Sequence, residues 1–299
     1  MIDQNDSKKK IENDWTKDNL QGKVKSYTEI SYKAEDRFGK IEKGERVRKG
    51  NNNYDFQKKY DGKGNIIEEN IYNSDGSLDE KRTYKYDEKE NEIEEFDYDS
   101  DGSLSWRWIY KYDRKGNRIE EASYDSDDSL LWKEIYQYDG KGNRIEAVGY
   151  FLDGSLLWKY IFKYDEKGNE IEWSEYDIND SLLWKHIYKY NKEGKMIEFN
   201  YNDSDGSLSW RWIYKYDRKG NMIEECHYKS NGSLDKKLTY KYDGKRNKIE
   251  WCKYNSDGIL DDRYKYDYEY DTQGNWVKKI KFKNGVPQYI LERTYEYYK

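Results

Sequence analysis

The sequence predicts an all-β protein, an antiparallel β-meander in which 26-residue repeats each add two strands to a single curved or spiral sheet. Such a sheet can also close partly into a shell. Three observations predict this fold: a tyrosine-led motif recurs at fixed spacing, a second turn motif recurs half a period later, and the segments between turns are rich in aromatic and β-branched residues. Two strands per repeat give close to twenty strands.

The repeat period is set by the tyrosine that opens each copy of the first motif. The sequence YDRKGN begins at Tyr112 and again at Tyr216, and looser copies run from Tyr60 to Tyr270 with a spacing of 26 seven times and then 28. The second motif, YDSDGSL, begins at Tyr98 and has several close copies. The chain has one proline, so continuous strand pairing is almost unrestricted.

The composition indicates an ordered but thin structure. Of the 299 residues, 34% are hydrophobic and 39% are charged, which is too polar for one large conventional core. However, the chain has 34 Tyr, 11 Trp and 7 Phe, whereas disordered segments are poor in aromatic residues. We therefore expect aromatic rings and long Lys and Glu side chains to cover an extended sheet.

The turn residues predict the type of hairpin. In the sequence EKGN, a two-residue type I′ turn would force a positive φ on Lys167, whereas a three-residue loop that ends in a G1 bulge suits Gly168. Because side chains alternate with a period of two, both turns of a repeat must shift the register equally if equivalent residues are to keep the same face. Both turns are therefore predicted to be three-residue loops.

This register predicts which residues share a face of the sheet. It places Ile119 opposite Ile135, and Glu121 opposite Lys133, which are favourable cross-strand pairs. One face is then expected to carry Tyr98, Leu104, Trp106, Tyr110, Tyr112 and their equivalents, and the other Ile109, Ile119, Trp173, Phe199 and Trp251 among Lys and Glu residues.

The chain is expected to have four regions. These are a polar N-terminal tail at 1–21, atypical N-terminal capping hairpins at 22–53, the 26-residue hairpin repeats at 54–278, and a C-terminal capping hairpin at 279–299. Terminal repeats of such arrays are usually atypical because one edge must face water.

The segments YKYDRKGNRIE at 110–120 and FKYDEKGNEIE at 162–172 resemble the YD repeats of the RHS/YD-repeat family. The resemblance extends over roughly residues 54–278. It implies strips of β-hairpins that can coil into a shell and a secreted or bacterial cell-surface location. It also implies an association with carbohydrate binding or with the encapsulation of a toxin domain.

Charge and hydropathy exclude some partners. The net charge of −6 arises from 55 basic and 61 acidic residues that are interspersed, without a basic block, which argues against a nucleic-acid partner. There is no run of 18 apolar residues, so membrane insertion is not expected. The start MIDQNDSKKK lacks the apolar stretch of a signal peptide, so the extracellular or cell-surface location is expected from the resemblance alone.

A ladder of tryptophans is the main candidate binding site. The five central repeats carry Trp at one register, and equivalent rings lie about 9.6 Å apart in a flat sheet, so that five span roughly 38 Å. An exposed ladder could stack sugar rings or bind the apolar edge of a protein. Alternatively, these rings simply cover the sheet or pack against another part of it. The predicted ligand-binding residues are Trp106, Trp132, Trp158, Trp184, Trp210, Trp108, Trp212 and Tyr160.

No metal or cofactor site is expected. The sequence DSDGS is similar to the start of a calcium loop, but Gly102 comes too early and Tyr110 occupies the position of the bidentate acid. Cys226 and Cys252 are expected to be free thiols about 9.6 Å apart, beyond the reach of a disulfide.

No enzymatic activity is expected either. His186 and His227 occupy positions where other repeats carry aromatic residues or Lys, which indicates surface filling, and neither belongs to a recurring nucleophile arrangement. Neighbouring acids such as Glu120 and Glu121 point to opposite faces of a strand.

Two hypotheses for function follow. The first is a non-enzymatic scaffold that presents an aromatic β-surface to a glycan or protein partner, at the bacterial cell exterior. The second is a structural spacer or assembly scaffold, or an engineered repeat protein, without a dedicated ligand. In the second case, edge strands are expected to join copies of the chain edge to edge.

Overall fold

A computed structural model describes residues 13–47 and 55–299, in which one short helix precedes and packs against a single 21-stranded sheet. All of the strand pairs are antiparallel and nearly all join consecutive strands, which confirms the predicted meander. The elements are α1 Asp14–Lys17, β1 Val24–Arg37, β2 Lys40–Arg46, β3 Asp55–Tyr60, β4 Ile66–Tyr72, β5 Leu78–Tyr86, β6 Glu92–Asp99, β7 Leu104–Tyr112, β8 Arg118–Asp125, β9 Leu130–Tyr138, β10 Arg144–Phe151, β11 Leu156–Tyr164, β12 Glu170–Tyr176, β13 Leu182–Tyr190, β14 Met196–Asp203, β15 Leu208–Tyr216, β16 Met222–Lys229, β17 Leu234–Tyr242, β18 Lys248–Tyr254, β19 Leu260–Tyr270, β20 Trp276–Lys283 and β21 Val286–Tyr297.

The sheet closes on itself through its first strand. One edge of β1 pairs with β21, from Val24 opposite Tyr297 to Lys33 opposite Tyr289. The other edge of β1 pairs with β3 near its start and with β2 further along. The strands β1 and β3 to β21 therefore form a closed ring, and β2 extends from it as a hairpin arm. We call this closed ring the shell, and the pairing of β1 with β3 and β21 the seam.

Hydrogen bonds within the turn explain the recurring YD…GN motif. The Oδ1 of Asp113 accepts hydrogen bonds from the backbone N–H groups of Lys115 and Asn117, and its Oδ2 accepts one from the Asn117 side chain. Gly116 closes the loop with a φ of 88°. Gly168 has a φ of 81° in the equivalent loop, so the predicted three-residue turn with a G1 bulge is confirmed.

The tyrosine of the motif also has a structural role. The Tyr112 hydroxyl donates a 2.6 Å hydrogen bond to the backbone carbonyl of Glu92, in the preceding strand β6, at the place where that strand is bulged. A bulge leaves backbone groups without ladder partners, so the hydroxyl replaces a missing sheet hydrogen bond. The same bond recurs from Tyr86 to Ile66, Tyr138 to Arg118, Tyr164 to Arg144, Tyr190 to Glu170 and Tyr216 to Met196.

The predicted cross-strand register is wrong by one residue. Ile135 lies opposite Glu120 instead of Ile119, and Lys133 lies opposite Ala122. The physical reason is a second bulge in each hairpin, a few residues beyond the turn, which shifts the pairing once more. Because both hairpins of a repeat carry this extra bulge, the repeat period is kept.

The shifted register also corrects the predicted faces. Trp173, Phe199 and Trp251 were expected beside Ile109, but they lie on the tryptophan face, opposite Phe162, Trp212 and Tyr264. Tyr98 was expected with the tryptophans, but it stacks on Phe96 on the other face, with ring centroids 6.4 Å apart. The sheet therefore gathers more of its aromatic rings on one face than the sequence predicts.

The tryptophan face is the inner face of the shell. Trp132 and Trp158 stand two strands apart, yet their ring centroids are 5.6 Å apart, well below the roughly 9.6 Å of a flat sheet. Side chains converge in this way on a concave surface. The outer face instead carries a ladder of Lys–Glu pairs with Nζ–O distances of 2.7 to 2.9 Å: Lys85–Glu94, Lys111–Glu120, Lys163–Glu172, Lys189–Glu198, Lys215–Glu224 and Lys241–Glu250.

The shell is hollow. Ring contacts in the described residues join elements that are neighbours or two strands apart, so opposite walls do not meet through their aromatic side chains. A ring of twenty strands has a perimeter of roughly 95 Å, which leaves a lumen between the walls.

The segment around α1 partly covers one end of the shell. Asp14 and Trp15 donate backbone hydrogen bonds to the Gly64 carbonyl, and the Gln21 backbone N–H donates to Asn275. These contacts lie at the end formed by the Gly-Asn turns. We call the opposite end, formed by the turns related to SDG, the mouth.

Candidate binding site on the inner face

A continuous band of rings covers the inner face from β9 to β16. We call it the aromatic belt, and its members are Trp132, Trp158, Tyr160, Trp173, Trp184, His186, Phe199, Tyr201, Trp210, Trp212 and His227. Each ring lies close to the next, with centroid distances such as 5.3 Å from Trp173 to Trp184 and 4.6 Å from Tyr201 to Trp210. Such edge and stacked contacts each add about 0.5–1.5 kcal/mol beyond burial.

All eight residues predicted to bind a ligand lie on the inner face. Trp132, Trp158, Tyr160, Trp184, Trp210 and Trp212 belong to the belt. Trp106 and Trp108 contact each other, with centroids 6.4 Å apart, on β7, two strands before the belt begins. Trp106 and Trp210 remain 45% and 46% exposed, so their surfaces are open to a molecule in the lumen.

The two histidines were predicted to be surface filling, but the structure places both in the belt. The His186 ring lies 4.4 Å from the Trp184 ring and 4.8 Å from the Phe199 ring, and burial lowers the pKa of its imidazole to about 4. His186 is therefore neutral at pH 7. His227 stacks on Trp212 at 4.3 Å, and its Nε2 lies 2.5 Å from a carboxylate oxygen of Glu225.

Small residues under the belt allow its rings to lie flat against the sheet. Gly149 stands opposite Trp158, and a Cβ atom at this position would overlap the indole ring. Ser123, at the same repeat position in β8, is buried opposite Trp132. These small residues are detectable in the sequence, but only the correct register shows that they face the tryptophans.

Apolar side chains at the mouth extend the belt toward solvent. Leu152 and Ile178 occupy turn positions that carry Ser in the SDG motif, and they are 67% and 71% exposed. Phe151 stands opposite Trp132 and is also exposed, as is Leu183. Exposed apolar residues that cluster are typical of protein interaction sites.

A carboxyl group on the inner face is strongly perturbed. Burial and the nearby Glu95 raise the pKa of Glu92 to about 7, although Arg118 acts in the opposite direction. In the unfolded chain, the same carboxyl loses its proton near pH 4.5. Between these pH values, the folded state binds more protons than the unfolded state, so this group lowers stability progressively as the pH rises from about 4.5 to about 7.

Replacing Glu92 with Gln should therefore stabilise the shell at pH 8, and the gain should disappear as the pH falls to about 4.5. Chemical denaturation of both proteins at several pH values measures this difference. Glu94→Gln is the matched control, because Glu94 lies on the outer face and pairs with Lys85 at 2.8 Å. A Glu92→Gln variant with the same gain at pH 4 and pH 8 would show that burial does not perturb this carboxyl.

Within residues 13–47 and 55–299, no group of three His, Cys, Asp or Glu side chains is arranged to hold a metal ion. Asp101, in the loop that is similar to a calcium site, instead accepts hydrogen bonds from Ser103 in its own turn. Cys226 and Cys252 are free and buried, and β17 separates their strands. Within these same ranges, no helix is long and apolar enough to cross a membrane.

Comparisons with known proteins show one family and several solved structures to which this chain is similar. The sequence profile of the Teneurin YD-shell family matches residues 125–291. No curated protein sequence matches the chain. A crystal structure of TcdB2-TccC3 shares 12% identity over 91% of this chain, which spans 17% of that protein, with a TM-score of 0.38. A porin-like protein from Bacteroides uniformis shares 10% identity over 91% of this chain and 96% of its own, with a TM-score of 0.34.

Proposed function

Because the chain belongs to the Teneurin YD-shell family, we propose that it is a non-enzymatic hollow scaffold that binds a polypeptide partner on the aromatic belt of its inner face. The observation that carries this proposal is the incomplete burial of the belt. Its rings line a lumen and keep part of their surface exposed, as Trp210 does. A protein core would bury such rings, because apolar surface in contact with water is unfavourable.

The mouth supports a polypeptide as the ligand. Leu152 and Ile178 replace the polar residues of other SDG turns, and both lie beside the strands that carry the belt. Phe151 continues this apolar surface inward to Trp132. A chain with apolar side chains could therefore bury surface continuously from the mouth to the belt.

A glycan is the second candidate ligand, favoured by one observation. Trp106 and Trp210 are nearly half exposed, and an exposed indole is a flat surface on which a sugar ring can stack.

The closed seam disfavours a spacer that joins copies edge to edge, because β1 and β21 already pair with each other. The bacterial cell exterior remains the proposed location, on the resemblance to secreted and surface YD-repeat proteins, and cell fractionation tests it.

Parallel binding to a peptide array and a glycan array tests the proposed function. The labelled shell is compared with a triple variant, Trp132→Ala, Trp158→Ala and Trp184→Ala. The control variant carries Tyr124→Ala, Tyr228→Ala and Tyr254→Ala, which remove three aromatic rings from the outer face. Circular dichroism and thermal denaturation confirm that both variants fold.

We expect the belt variant to bind the best apolar peptides at least about tenfold more weakly, a loss of roughly 1.4 kcal/mol or more, while the outer variant changes little. Equal peptide binding by a folded belt variant and the wild type would overturn the proposal. Binding to glycans but not peptides, abolished in the belt variant, would instead establish the second candidate.

A further inference from the structure

The inner face carries a second surface beside the aromatic belt. Four lysines line it on strands β17, β18 and β20, and we call them the basic arc: Lys236, Lys248, Lys279 and Lys281. Lys236 stands opposite His227, the last ring of the belt. The Lys279 Nζ lies 4.6 Å from the Trp276 ring centroid, and the Lys248 Nζ lies 4.4 Å from that of Tyr240.

The basic arc lacks the carboxylate partners that lysines have on the outer face. Among the described residues, no carboxylate oxygen lies within 4.0 Å of any of these four ammonium groups, whereas the outer Lys111 and Lys163 are each 2.7 Å from a Glu. Glu225 acts on Lys248 and Glu29 acts on Lys279 from beyond ion-pair distance, and both acids have closer partners. Glu225 is hydrogen-bonded to His227 and Tyr240, and Glu29 pairs with Arg293.

Unpaired charges in such a place are costly. All four lysines are partly buried, and desolvation lowers the pKa of Lys248, Lys279 and Lys281. An apolar replacement would avoid this cost. A concave wall that carries charges of one sign also concentrates the electric field and attracts ligands of the opposite charge.

The spacing of the arc matches an extended peptide. Lys279 and Lys281 are two residues apart on β20, so their side chains project about 6.6–6.8 Å apart on the same face. Carboxylates at alternate positions of an extended polypeptide have the same spacing. Because Lys236 stands opposite His227, which stacks on Trp212, such a segment could continue directly from the belt.

We propose that the basic arc binds carboxylate groups at alternate positions of an extended polypeptide, so that the partner bound by the shell carries an acidic segment next to its apolar one. This inference rests on the proposed function and specifies the chemistry of the partner. The bound carboxylates supply the close ion-pair partners that these four lysines lack.

Fluorescence anisotropy with three labelled peptides tests the basic arc. The probes are extended ten-residue peptides in which Ala alternates with Glu, Gln or Lys, and a heparin fragment serves as an anionic glycan. The inner variant carries Lys248→Gln, Lys279→Gln and Lys281→Gln. The matched outer variant carries Lys111→Gln, Lys163→Gln and Lys189→Gln, which remove the same charge from the outer face.

We expect the wild-type shell to bind the Glu peptide at least about tenfold more tightly than the Gln peptide, and the inner variant to lose this preference. The outer variant should keep it. Equal affinity of the wild type for the Glu and Gln peptides would overturn the inference, as would an inner variant that retains the preference. Binding of heparin without the Glu peptide would also overturn it.

The array experiment separates the two proposals. If apolar peptides bind the belt but the Glu peptide shows no preference over the Gln peptide, then only the basic arc is refuted. If the belt variant binds apolar peptides as the wild type does, then the proposed function fails independently of the lysines.

Discussion

Replacing Tyr27 with Ala should lower the free energy of unfolding by about 3–5 kcal/mol, which is a large part of the stability of an average domain. Tyr27 is 2% exposed at the seam. Its ring lies 5.6 Å from Phe56 of β3 and 5.5 Å from Tyr295 of β21. The Arg293 guanidinium packs on its face at 4.4 Å. One side chain therefore joins the two strands that close the shell.

The loss of Tyr27 should also change the shape of the molecule. An opened seam would expose the edges of β3 and β21, and unpaired strand edges associate. Solution scattering should then show a larger radius of gyration or larger particles, and denaturation should show the lower stability. Tyr124→Ala is the matched control, because Tyr124 lies on the outer face in mid-sheet, beneath the Arg107 guanidinium. Equal effects of the two substitutions would contradict the importance of the seam.

Replacing Gly149 with Val should destabilise the shell by about 1–3 kcal/mol, as expected for overpacking. Strand propensity alone predicts the opposite result, because Val favours β-strands and Gly disfavours them. However, a Cβ atom at Gly149 would overlap the Trp158 indole ring. Trp158 must then leave its position 5.6 Å from Trp132, and the belt would be interrupted between β9 and β11.

Near-ultraviolet circular dichroism measures the packing of the tryptophans, and chemical denaturation measures the stability. Glu175→Val is the control at the same position of the next repeat, opposite Trp184. We expect this control to change the stability by less than about 1 kcal/mol. A Gly149→Val variant with unchanged dichroism and higher stability would show that the glycine does not support the belt.

Much of the fold could be predicted because its signals are local. The Asp, Gly and Asn residues of each turn interact within five consecutive positions, as Asp113 and Asn117 do. The number of strands, their antiparallel order and the three-residue turns follow from these interactions and from the 26-residue period. The eight predicted site residues share a face for the same reason, since most of them occupy equivalent positions in the repeat.

The register could not be predicted because it depends on bonds between repeats. The extra bulge near Arg118 frees backbone groups, and the hydroxyl of Tyr138, which belongs to the next repeat, replaces the missing bond from the adjacent strand β9. The turn residues of one hairpin do not reveal that a tyrosine of the next repeat supplies this hydrogen bond. As a result, Trp173 and Phe199 were placed on the wrong face, and the belt was expected to be narrower than it is.

The sequence by itself determined the period, the turns, the strands and the alignment of the tryptophans, because each depends on residues close together in the chain. Only the tertiary structure decided that the sheet closes and that the aromatic face lies inside. Closure requires Tyr27, near one end of the chain, to pack against Tyr295, near the other end. The small twist and bend contributed by each bulged hairpin add up over the ring, and only their sum brings these two strands together.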